Sequence, residues 1–439
     1  MSDPPACPQL SCERIGDFCV SSEDCLYLNV WTPLTAGKGN GTYPVMVYFY
    51  GGGFEEGANR FPVFSGDWFS NTSGLVVVTF NYRVGALGWL VAGSIKGNFG
   101  LMDQRSALQW VQENIKAFGG NPQQVTVFGQ SAGAISIGVH MVAAQSQGLF
   151  HRAIMESNPF AMKFRTLEDS YELGDIFGLW IGCDVNDMDC LLSKTAKEVL
   201  DAQANTFFVP YTYLLDELPW QPTIDGVEVV GQTLDLFSSG KVMNIPVIVG
   251  TVGNEMLSFI YGATSAPISS IEYEALLVGL FPEHVLSLLS LYPAGDDPKA
   301  TFSKLLTDFF FVCPTRKAAT TLVSLGLETY LYQFLHAPTK DPENNTTYCY
   351  NKSCHGAELQ YVWHIALPQF PFDPPEASLS WSMHKTWALF ANYLPLPSTW
   401  TQARPNTPGG PIPSTQLNLP SPTLIYGYEK SQCDYWETL

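Results

Sequence analysis

The stretch FGGNPQQVTVFGQSAGA, residues 118–134, decides the fold. Its middle part, Val125 to Phe128, is β-branched and aromatic and therefore predicts a short strand. The motif Gly-Gln-Ser-Ala-Gly follows at 129–133, and small residues that tolerate a helix come next. Glycines on both sides of Ser131 let neighbouring backbone approach closely, so the serine hydroxyl can project from a sharp turn. A Gly-x-Ser-x-Gly motif alone also fits a surface turn, but the order strand, turn, helix predicts a nucleophile elbow.

A serine nucleophile needs hydrogen-bond donors for the oxyanion that forms when it attacks a carbonyl group. An apolar strand is predicted over 45–50, and the glycine run 51–53 follows it directly. In isolation such a run indicates a flexible turn. Its position after a buried strand and ahead of the elbow instead predicts an oxyanion hole made by the backbone N–H groups of Gly52, Gly53 and Ala132.

The serine also needs a base, and a carboxylate to orient that base. In hydrolases with this elbow the chain order is nucleophile, acid, histidine, so both residues are sought downstream. A strand-like segment, 245–250, leads into a loop that contains Glu255. His355 is the preferred base because it lies in a loop, CYNKSCHGAEL, and is followed by a glycine.

Other candidates for the acid and the base are interpreted as structural. The surroundings of two histidines are rich in core-like aromatic residues, and one aspartate lies in a turn-like sequence, PTIDGVEV. These residues are His364, His384 and Asp225.

Several longer motifs resemble those of the type-B carboxylesterase and cholinesterase family. They are SEDCLYLNVW (22–31), residues 118–133, NYRVGALG (81–88), GNFGLMDQ (97–104) and HGAE (355–358). The resemblance implies an α/β-hydrolase fold, α/β in class, with a mostly parallel central sheet flanked by helices. It implies Ser131 as nucleophile, Glu255 as acid and His355 as base, with Gly52, Gly53 and Ala132 as oxyanion donors. No metal and no organic cofactor is implied.

Length and charge limit the domain organisation and the partners. No linker or repeat divides the 439 residues, so we expect one domain over 1–439, lacking the N-terminal strands that the family normally has. The chain has 22 basic and 41 acidic residues, and a net charge of −19 disfavours nucleic acid as a partner. No apolar run is long enough for a transmembrane helix. The expected partner is a small ester, and the oligomeric state stays open.

Ten cysteines and several glycosylation sequons predict a secreted or extracellular protein. Residues 1–5 do not resemble a signal peptide, so we expect that segment to be missing together with the N-terminal strands. The sequons are at Asn40, Asn71, Asn344, Asn345 and Asn351. The resemblance implies the disulfides Cys7–Cys25, Cys183–Cys190 and Cys313–Cys433. The remaining cysteines would then pair as Cys12–Cys19 and Cys349–Cys354. Metal binding is the alternative, but the spacings do not form paired CxxC units.

The rest of the chain alternates predicted strands and helices, which indicates a mostly parallel sheet. Further strands are predicted at 75–81, 152–157, 329–335 and 424–427, a helix at 101–115, and largely helical regions at 167–209 and 271–320. The proline-rich segment 395–422 predicts a long surface loop, with an SH3-type ligand as the alternative.

Two departures from the family pattern bear on the substrate. Gln130 stands where the family mostly has glutamate, and the segment between Cys7 and Cys25 has no tryptophan to stack on choline. We therefore expect an esterase for neutral esters, with Phe54, Phe160 and Phe259 lining an apolar pocket. The alternatives are a cholinesterase-like adhesion protein without catalysis, which typically lacks the nucleophile or the histidine, and an inactive truncated product.

Overall fold

The computed structural model describes residues 4–15, 20–36, 42–206, 218–338, 348–366, 371–405, 407 and 410–439. Backbone contacts divide the chain into two compact units. The first comprises Met1–Ile154 and Met162–Asn244, and the second comprises Met155–Ala161 and Ile245–Leu439. That the two units form one domain over 1–439 stays a prediction.

Strands of the first unit form a mostly parallel sheet. They are β1 (Leu28–Trp31), β2 (Tyr43–Phe49), β3 (Val76–Phe80), β4 (Val91–Ala92), β5 (Ile95–Lys96), β6 (Gly120–Gln130), β7 (Arg152–Glu156), β8 (Arg165–Thr166) and β9 (Thr223–Ile224). The last two residues of β7 belong to the second unit. The order in the sheet is β1-β3-β2-β6-β7, whereas β4 pairs with β5 and β8 with β9 in two small sheets.

Burial on both faces explains why these strands are almost wholly apolar. β2 lies parallel to β3 and to β6, so that Val47 faces Val78 on one side and Val127 on the other. All residues of β3 are buried, and so are the last five of β2. Parallel sheets covered by helices have this composition, because neither face of the sheet contacts water.

Helices of the first unit begin and end at local signals in the sequence. They are α1 (Leu10–Ile15), α2 (Asp67–Ser73), α3 (Gly85–Trp89), α4 (Phe99–Asn114), α5 (Ala132–Val142), α6 (Leu167–Ile181), α7 (Met188–Leu192), α8 (Ala196–Asn205) and α9 (Thr233–Ser238). α6 starts at a capping box between Thr166 and Asp169 and ends at Gly182, which is left-handed. α4 buries Leu101, Leu108 and Val111, which have helical spacing.

The second unit has its own strands and a larger set of helices. The strands are β10 (Val247–Val252), β11 (Thr329–Phe334), β12 (Pro413–Leu417) and β13 (Thr423–Tyr426). They follow the end of β7 in the order β10-β11-β12-β13, and only the pair β12 and β13 is antiparallel. The helices are α10 (Leu257–Ala263), α11 (Ser270–Leu280), α12 (Val285–Leu291), α13 (Pro298–Thr307), α14 (Cys313–Ser324), α15 (Leu359–Trp363), α16 (Pro374–Ala391) and α17 (Lys430–Trp436). A π-helical turn, Asp308–Val312, joins α13 to α14.

A mostly parallel sheet flanked by helices was predicted, and the structure has this architecture. One segment differs from the prediction. Within the proline-rich segment 395–422, expected to be a surface loop, residues Pro413–Leu417 form β12 and pair with β11 and β13. Proline begins this strand, where its missing N–H costs no hydrogen bond inside the ladder.

Candidate active site

Ser131 lies at the sharp turn between β6 and α5. Its backbone has φ 56° and ψ −125°, a conformation that non-glycine residues rarely adopt. The flanking glycines are explained by β2, which passes beside the turn. A Cβ added at Gly133 would lie 2.0 Å from the carbonyl oxygen of Phe49, and one at Gly129 would lie 2.6 Å from the same atom. Only glycine fits at either position, so the Gly-x-Ser-x-Gly spacing follows from close packing of backbone.

The glycine loop after β2 lies against the same turn. A Cβ added at Gly51 would be 3.0 Å from Cβ of Ser131 and 2.7 Å from Oε1 of Gln130. Gly52 and Gly53 have φ 115° and 60°, which favour glycine. The first unit therefore brings the predicted oxyanion donors of this loop close to Ser131, and Ala132 is the first residue of α5.

Hydrogen bonds hold this loop in place. The carbonyl oxygen of Gly52 accepts from the backbone N–H groups of Glu55 and Glu56. The carbonyl oxygen of Phe54 accepts from the N–H of Gly85 at 2.7 Å and from Nε1 of Trp89 at 3.0 Å. Preorganised donors stabilise a developing oxyanion without reorganising during the reaction, which is the role that the sequence predicts for this loop.

Glu255 and His355 form a close pair in the second unit. Glu255 follows β10, is fully buried, and accepts through Oε1 from the N–H of Val252 at 2.8 Å. Its other oxygen, Oε2, lies 2.5 Å from Nδ1 of His355. Because an ionised carboxylate only accepts, Nδ1 carries the imidazole proton and Nε2 is left as the acceptor. This is the tautomer that a general base requires.

Aromatic rings of the second unit contact His355. The ring centroids of Phe259 and Phe311 lie 5.2 Å and 5.4 Å from that of the imidazole. Phe259, predicted to line a pocket, is 49% exposed. Phe54 was predicted to line the same pocket, and this is wrong, because its side chain is fully buried and packs edge-on against Trp89.

Two further buried carboxyl groups lie in the second unit, and sequence reasoning did not single them out. Glu358 accepts from Oγ of Ser157 at 3.3 Å, and Glu156 accepts from Nε1 of Trp387 at 2.6 Å. Burial and then the charge of Glu255 raise the pKa of Glu358 to about 7, although His355 acts in the opposite direction. Burial and then the charge of Glu358 raise the pKa of Glu156 well above its ordinary value. The position of Glu358 in the HGAE motif was the available signal.

The remaining candidate residues have structural contacts. Oδ1 of Asp225 accepts from three backbone N–H groups of the turn 225–229. Nδ1 of His364 lies 2.7 Å from Oγ of Ser380, and Nδ1 of His384 lies 3.2 Å from the carbonyl oxygen of Val362. Burial lowers the pKa of both histidines, that of His384 to about 4. These contacts agree with the structural interpretation of the three residues.

Four disulfides join cysteines whose pairing was expected. They are Cys7–Cys25, Cys183–Cys190, Cys313–Cys433 and Cys349–Cys354. Cys12 belongs to the described residues and Cys19 does not, so the fifth expected pair lies partly outside them. Of the sequon asparagines, Asn71 and Asn351 are exposed, whereas Asn40, Asn344 and Asn345 lie outside the described residues.

The described residues contain neither a metal-binding group nor a membrane-spanning helix. Within 4–15, 20–36, 42–206 and the later described ranges, no three His, Cys, Asp or Glu side chains form a group that could hold a metal ion. Among the helices in the described part of the chain, none has the length and apolar character needed to span a membrane.

A mostly parallel sheet, flanking helices and a serine on a strand-to-helix turn define an α/β-hydrolase. A profile of the Carboxylesterase family matches residues 1–436, and the chain belongs to that family. The structure resembles that of "PNB esterase" with a TM-score of 0.82 and 28% sequence identity, covering 98% of this chain and 88% of that one. The α/β-hydrolase fold predicted from the sequence is thereby confirmed.

Relatives at higher sequence identity include proteins of different names. The cAMP-regulated D2 protein of Dictyostelium discoideum is 36% identical over 358 residues, which are 80% of this chain and 65% of that protein. The Crystal protein of the same organism is 32% identical over an alignment that covers 98% of this chain and 79% of that protein. Cholinesterase of Mus musculus is 35% identical over an alignment that covers 85% of this chain and 64% of that protein. The chain therefore spans less than two thirds of the D2 protein and of the mouse cholinesterase.

Proposed function

We propose that the protein is a serine hydrolase that cleaves neutral carboxylic esters through an acyl-enzyme. The observation that carries the proposal is the contact between Nδ1 of His355 and Oε2 of Glu255, which fixes the imidazole as a base. The strained backbone of Ser131 supports it, because such a turn is typical of an activated nucleophile. Membership of the carboxylesterase family agrees with this chemistry.

The proposed reaction has two halves that use the same groups in opposite directions. Nε2 of His355 takes the proton of Ser131 as Oγ attacks the ester carbonyl carbon, and Glu255 stabilises the imidazolium that forms. The backbone N–H groups of Gly52, Gly53 and Ala132 bind the oxyanion. The imidazolium then protonates the leaving alkoxide, which departs as the alcohol. Water, deprotonated by the same imidazole, attacks the acyl-serine and releases the acid.

Three features favour neutral substrates over choline esters. Gln130 puts a neutral amide beside Ser131, and the Cys7–Cys25 segment contains no tryptophan. Glu55 lies two residues beyond Gly53, but burial, and secondarily the charge of Glu56, raises its pKa to about 8. It is therefore mostly uncharged at neutral pH. Recognition of a quaternary ammonium group relies on aromatic faces, each contact contributing about 0.5–2 kcal/mol, and on nearby negative charge.

Matched butyrate esters test the substrate class. We expect a neutral alkyl or aryl butyrate to have a higher kcat/KM than butyrylcholine at pH 7, because the choline group gains no cation contact. The net charge of −19 attracts the choline cation and not the neutral ester, and salt screens this long-range attraction, so a second salt concentration separates it from binding at the site. The measurement is side-by-side steady-state kinetics at two salt concentrations. A clear preference for butyrylcholine at both would contradict the proposal.

Labelling with a fluorophosphonate tests the activity itself. The wild-type chain should react rapidly and in a one-to-one ratio, because only an activated serine attacks the probe. Ser131→Ala should abolish labelling and reduce ester turnover by about 10⁴-fold or more. A wild-type chain that folds but does not react would instead indicate an adhesion protein, and a chain that does not fold would indicate an inactive product.

The disulfides and the exposed sequons bear on where the protein is located. Disulfides such as Cys183–Cys190 and Cys313–Cys433 form and persist in oxidising compartments. We therefore propose a secreted or extracellular protein, glycosylated at sequons such as Asn71 and Asn351, which are both exposed. Mass analysis of the protein from a eukaryotic host, before and after glycosidase treatment, tests both points.

A further inference from the structure

The chain segments that carry Glu255 and His355 lie side by side. Asn254 and Cys354 form a single parallel β-bridge, outside any strand. In this bridge the backbone N–H of Asn254 donates to the carbonyl oxygen of Ser353 at 2.9 Å. Parallel pairing keeps successive residues in step, so the next residue of each segment faces its counterpart. Those next residues are Glu255 and His355.

Side chains reinforce this bridge from both segments. Oδ1 of Asn254 accepts from the backbone N–H of Ser353 at 3.3 Å. In return, Oγ of Ser353 accepts from the backbone N–H of Gly253 at 3.0 Å. Ser353 is almost fully buried, so its hydroxyl has little competition from water. The two side chains thus bind the backbone of the opposite segment, one in each direction.

The bridge is attached to rigid parts of the second unit on both sides. The N–H of Gly253 also donates to the carbonyl oxygen of Phe334, the last residue of β11, at 3.0 Å. On the other side, Cys354 is bonded to Cys349, and this disulfide packs with Leu257 in a small buried cluster. A bridge held between a strand and a closed ring resists a change of register.

We propose that Asn254 and Ser353 are positioning residues that set the register in which Glu255 meets His355. The inference rests on the proposed function, because it concerns the acid and base of that reaction. Parallel segments that slip by one residue would place Glu255 opposite Cys354 or Gly356, and the contact with Nδ1 of His355 would be lost. The two side chains disfavour that slip, since each recognises backbone that only the observed register presents.

Paired substitutions at Asn254 and Ser353 separate a positioning role from a general effect on stability. Asn254→Ala removes the acceptor for the N–H of Ser353, whereas Asn254→Asp keeps an oxygen at the same place. Ser353→Ala removes the hydroxyl and also destroys the sequon at Asn351, whereas Ser353→Thr keeps both. Asn351→Asp controls for the glycan, because aspartate tolerates the left-handed backbone of this position, φ 57°. Asn351 is outside the proposed machinery.

Two readouts are combined. The first is kcat and KM for a neutral butyrate ester, measured on the full chain. The second is the low-field proton resonance of Nδ1 in His355, recorded in a Ser131→Ala background so that it does not depend on turnover. We expect Asn254→Ala to lower kcat by about tenfold or more with little change in KM, because misplacement affects the chemical step. The resonance should be lost or shifted. Asn254→Asp should restore both, Ser353→Thr should retain more of both than Ser353→Ala, and Asn351→Asp should match wild type.

The inference is overturned if Asn254→Ala keeps both kcat and the resonance, or if Asn254→Asp is as impaired as Asn254→Ala. Should Asn254→Ala fail to fold, Ser353→Ala decides by the same readouts, compared with Asn351→Asp. The two proposals fail in different ways. A wild-type chain without turnover whose resonance responds to Asn254→Ala contradicts the proposed function and supports the inference. A chain with full turnover whose resonance is unchanged by Asn254→Ala supports the proposed function and contradicts the inference.

Discussion

Each unit holds its own candidate catalytic groups, and the two units hold them by different means. The first unit supplies backbone: a strained serine, glycines that let β2 pass closely, and a glycine loop whose carbonyl oxygens accept hydrogen bonds. The second unit supplies side chains, Glu255 against His355 and two further buried carboxyl groups. Substitutions in the first unit should therefore act mainly through the side-chain volume that they add. Substitutions in the second unit should act through charge or through the alignment of side chains.

The largest effect is expected at Gly133. An added Cβ would lie 2.0 Å from the carbonyl oxygen of Phe49 and 2.6 Å from its carbon, and both atoms belong to the backbone of β2. Because backbone inside a sheet cannot give way, Gly133→Ala should displace the turn that carries Ser131. We expect kcat/KM to fall by about a thousandfold, or the chain not to fold. Steady-state kinetics and circular dichroism measure this.

Two other glycines sharpen that prediction. Gly53 has φ 60°, and an added Cβ would lie at ordinary van der Waals distance from Leu218, no closer than 3.8 Å, so Gly53→Ala adds mainly backbone strain of about 1–2 kcal/mol. It should fold and retain more activity than Gly133→Ala. Gly279 lies in α11 with no atom within 4 Å of an added Cβ, and Gly279→Ala should leave activity unchanged. Equal losses for Gly133→Ala and Gly279→Ala would show that volume is not the cause.

A smaller effect is expected when the ring before His355 is opened. Cys349→Ser with Cys354→Ser removes a disulfide that spans 5 residues and should cost about 2 kcal/mol of stability. Because the ring also holds the bridge to Asn254, kcat should fall by about tenfold. The kinetics and the denaturant midpoint of the same preparation separate the two effects.

The matched control for this variant is the disulfide of similar size in the first unit. Cys183 and Cys190 are 7 residues apart; Cys183 follows α6 and Cys190 lies in α7. Opening this ring should cost a similar amount of stability, about 2 kcal/mol, and leave kcat unchanged. If both double variants lose activity in proportion to stability, the ring before His355 has no positioning role.

The sequence predicted the backbone part of the site more completely than the charged part. Strand periodicity and glycine spacing identified β2, β6 and the turn at Ser131, because these constraints are local and act on consecutive residues. Glu156 and Glu358 could not be recognised in the same way. They are 202 residues apart, and the pKa of each depends on burial that only the folded second unit creates.

Two errors have the same physical origin. Phe54 was predicted to line an apolar pocket together with other aromatic residues, but the left-handed backbone at φ 63° accompanies a side chain buried against Trp89. β12 was interpreted as loop because prolines surround it, yet pairing with β11 and β13 overrides that local preference. In both cases tertiary contacts decided a question that local composition could not.

The smallest effect is expected in the pH dependence of activity when Glu358 is replaced. Its pKa is raised from 4.5 to about 7, so the side chain ionises as the pH rises through neutrality. The new negative charge stabilises the imidazolium of His355, which makes the imidazole more basic. Glu358→Gln removes this charge, and the amide can still accept from Oγ of Ser157. We expect the acidic limb of the kcat/KM profile to move to lower pH, and kcat at pH 8 to fall by about two- to fivefold.

Stability gives an independent check on the same group. A carboxyl group whose pKa is higher in the folded than in the unfolded state binds its proton more tightly when folded. Its contribution to stability is complete below pH 4.5 and is lost as the pH rises through about 7. Wild type should therefore lose stability relative to Glu358→Gln across this interval. Parallel stability curves for wild type and Glu358→Gln between pH 4.5 and 8 would contradict the raised pKa and mean that Glu358 stays ionised throughout; the acidic limb should then still move to lower pH in Glu358→Gln, because the charge that it removes is present at every pH.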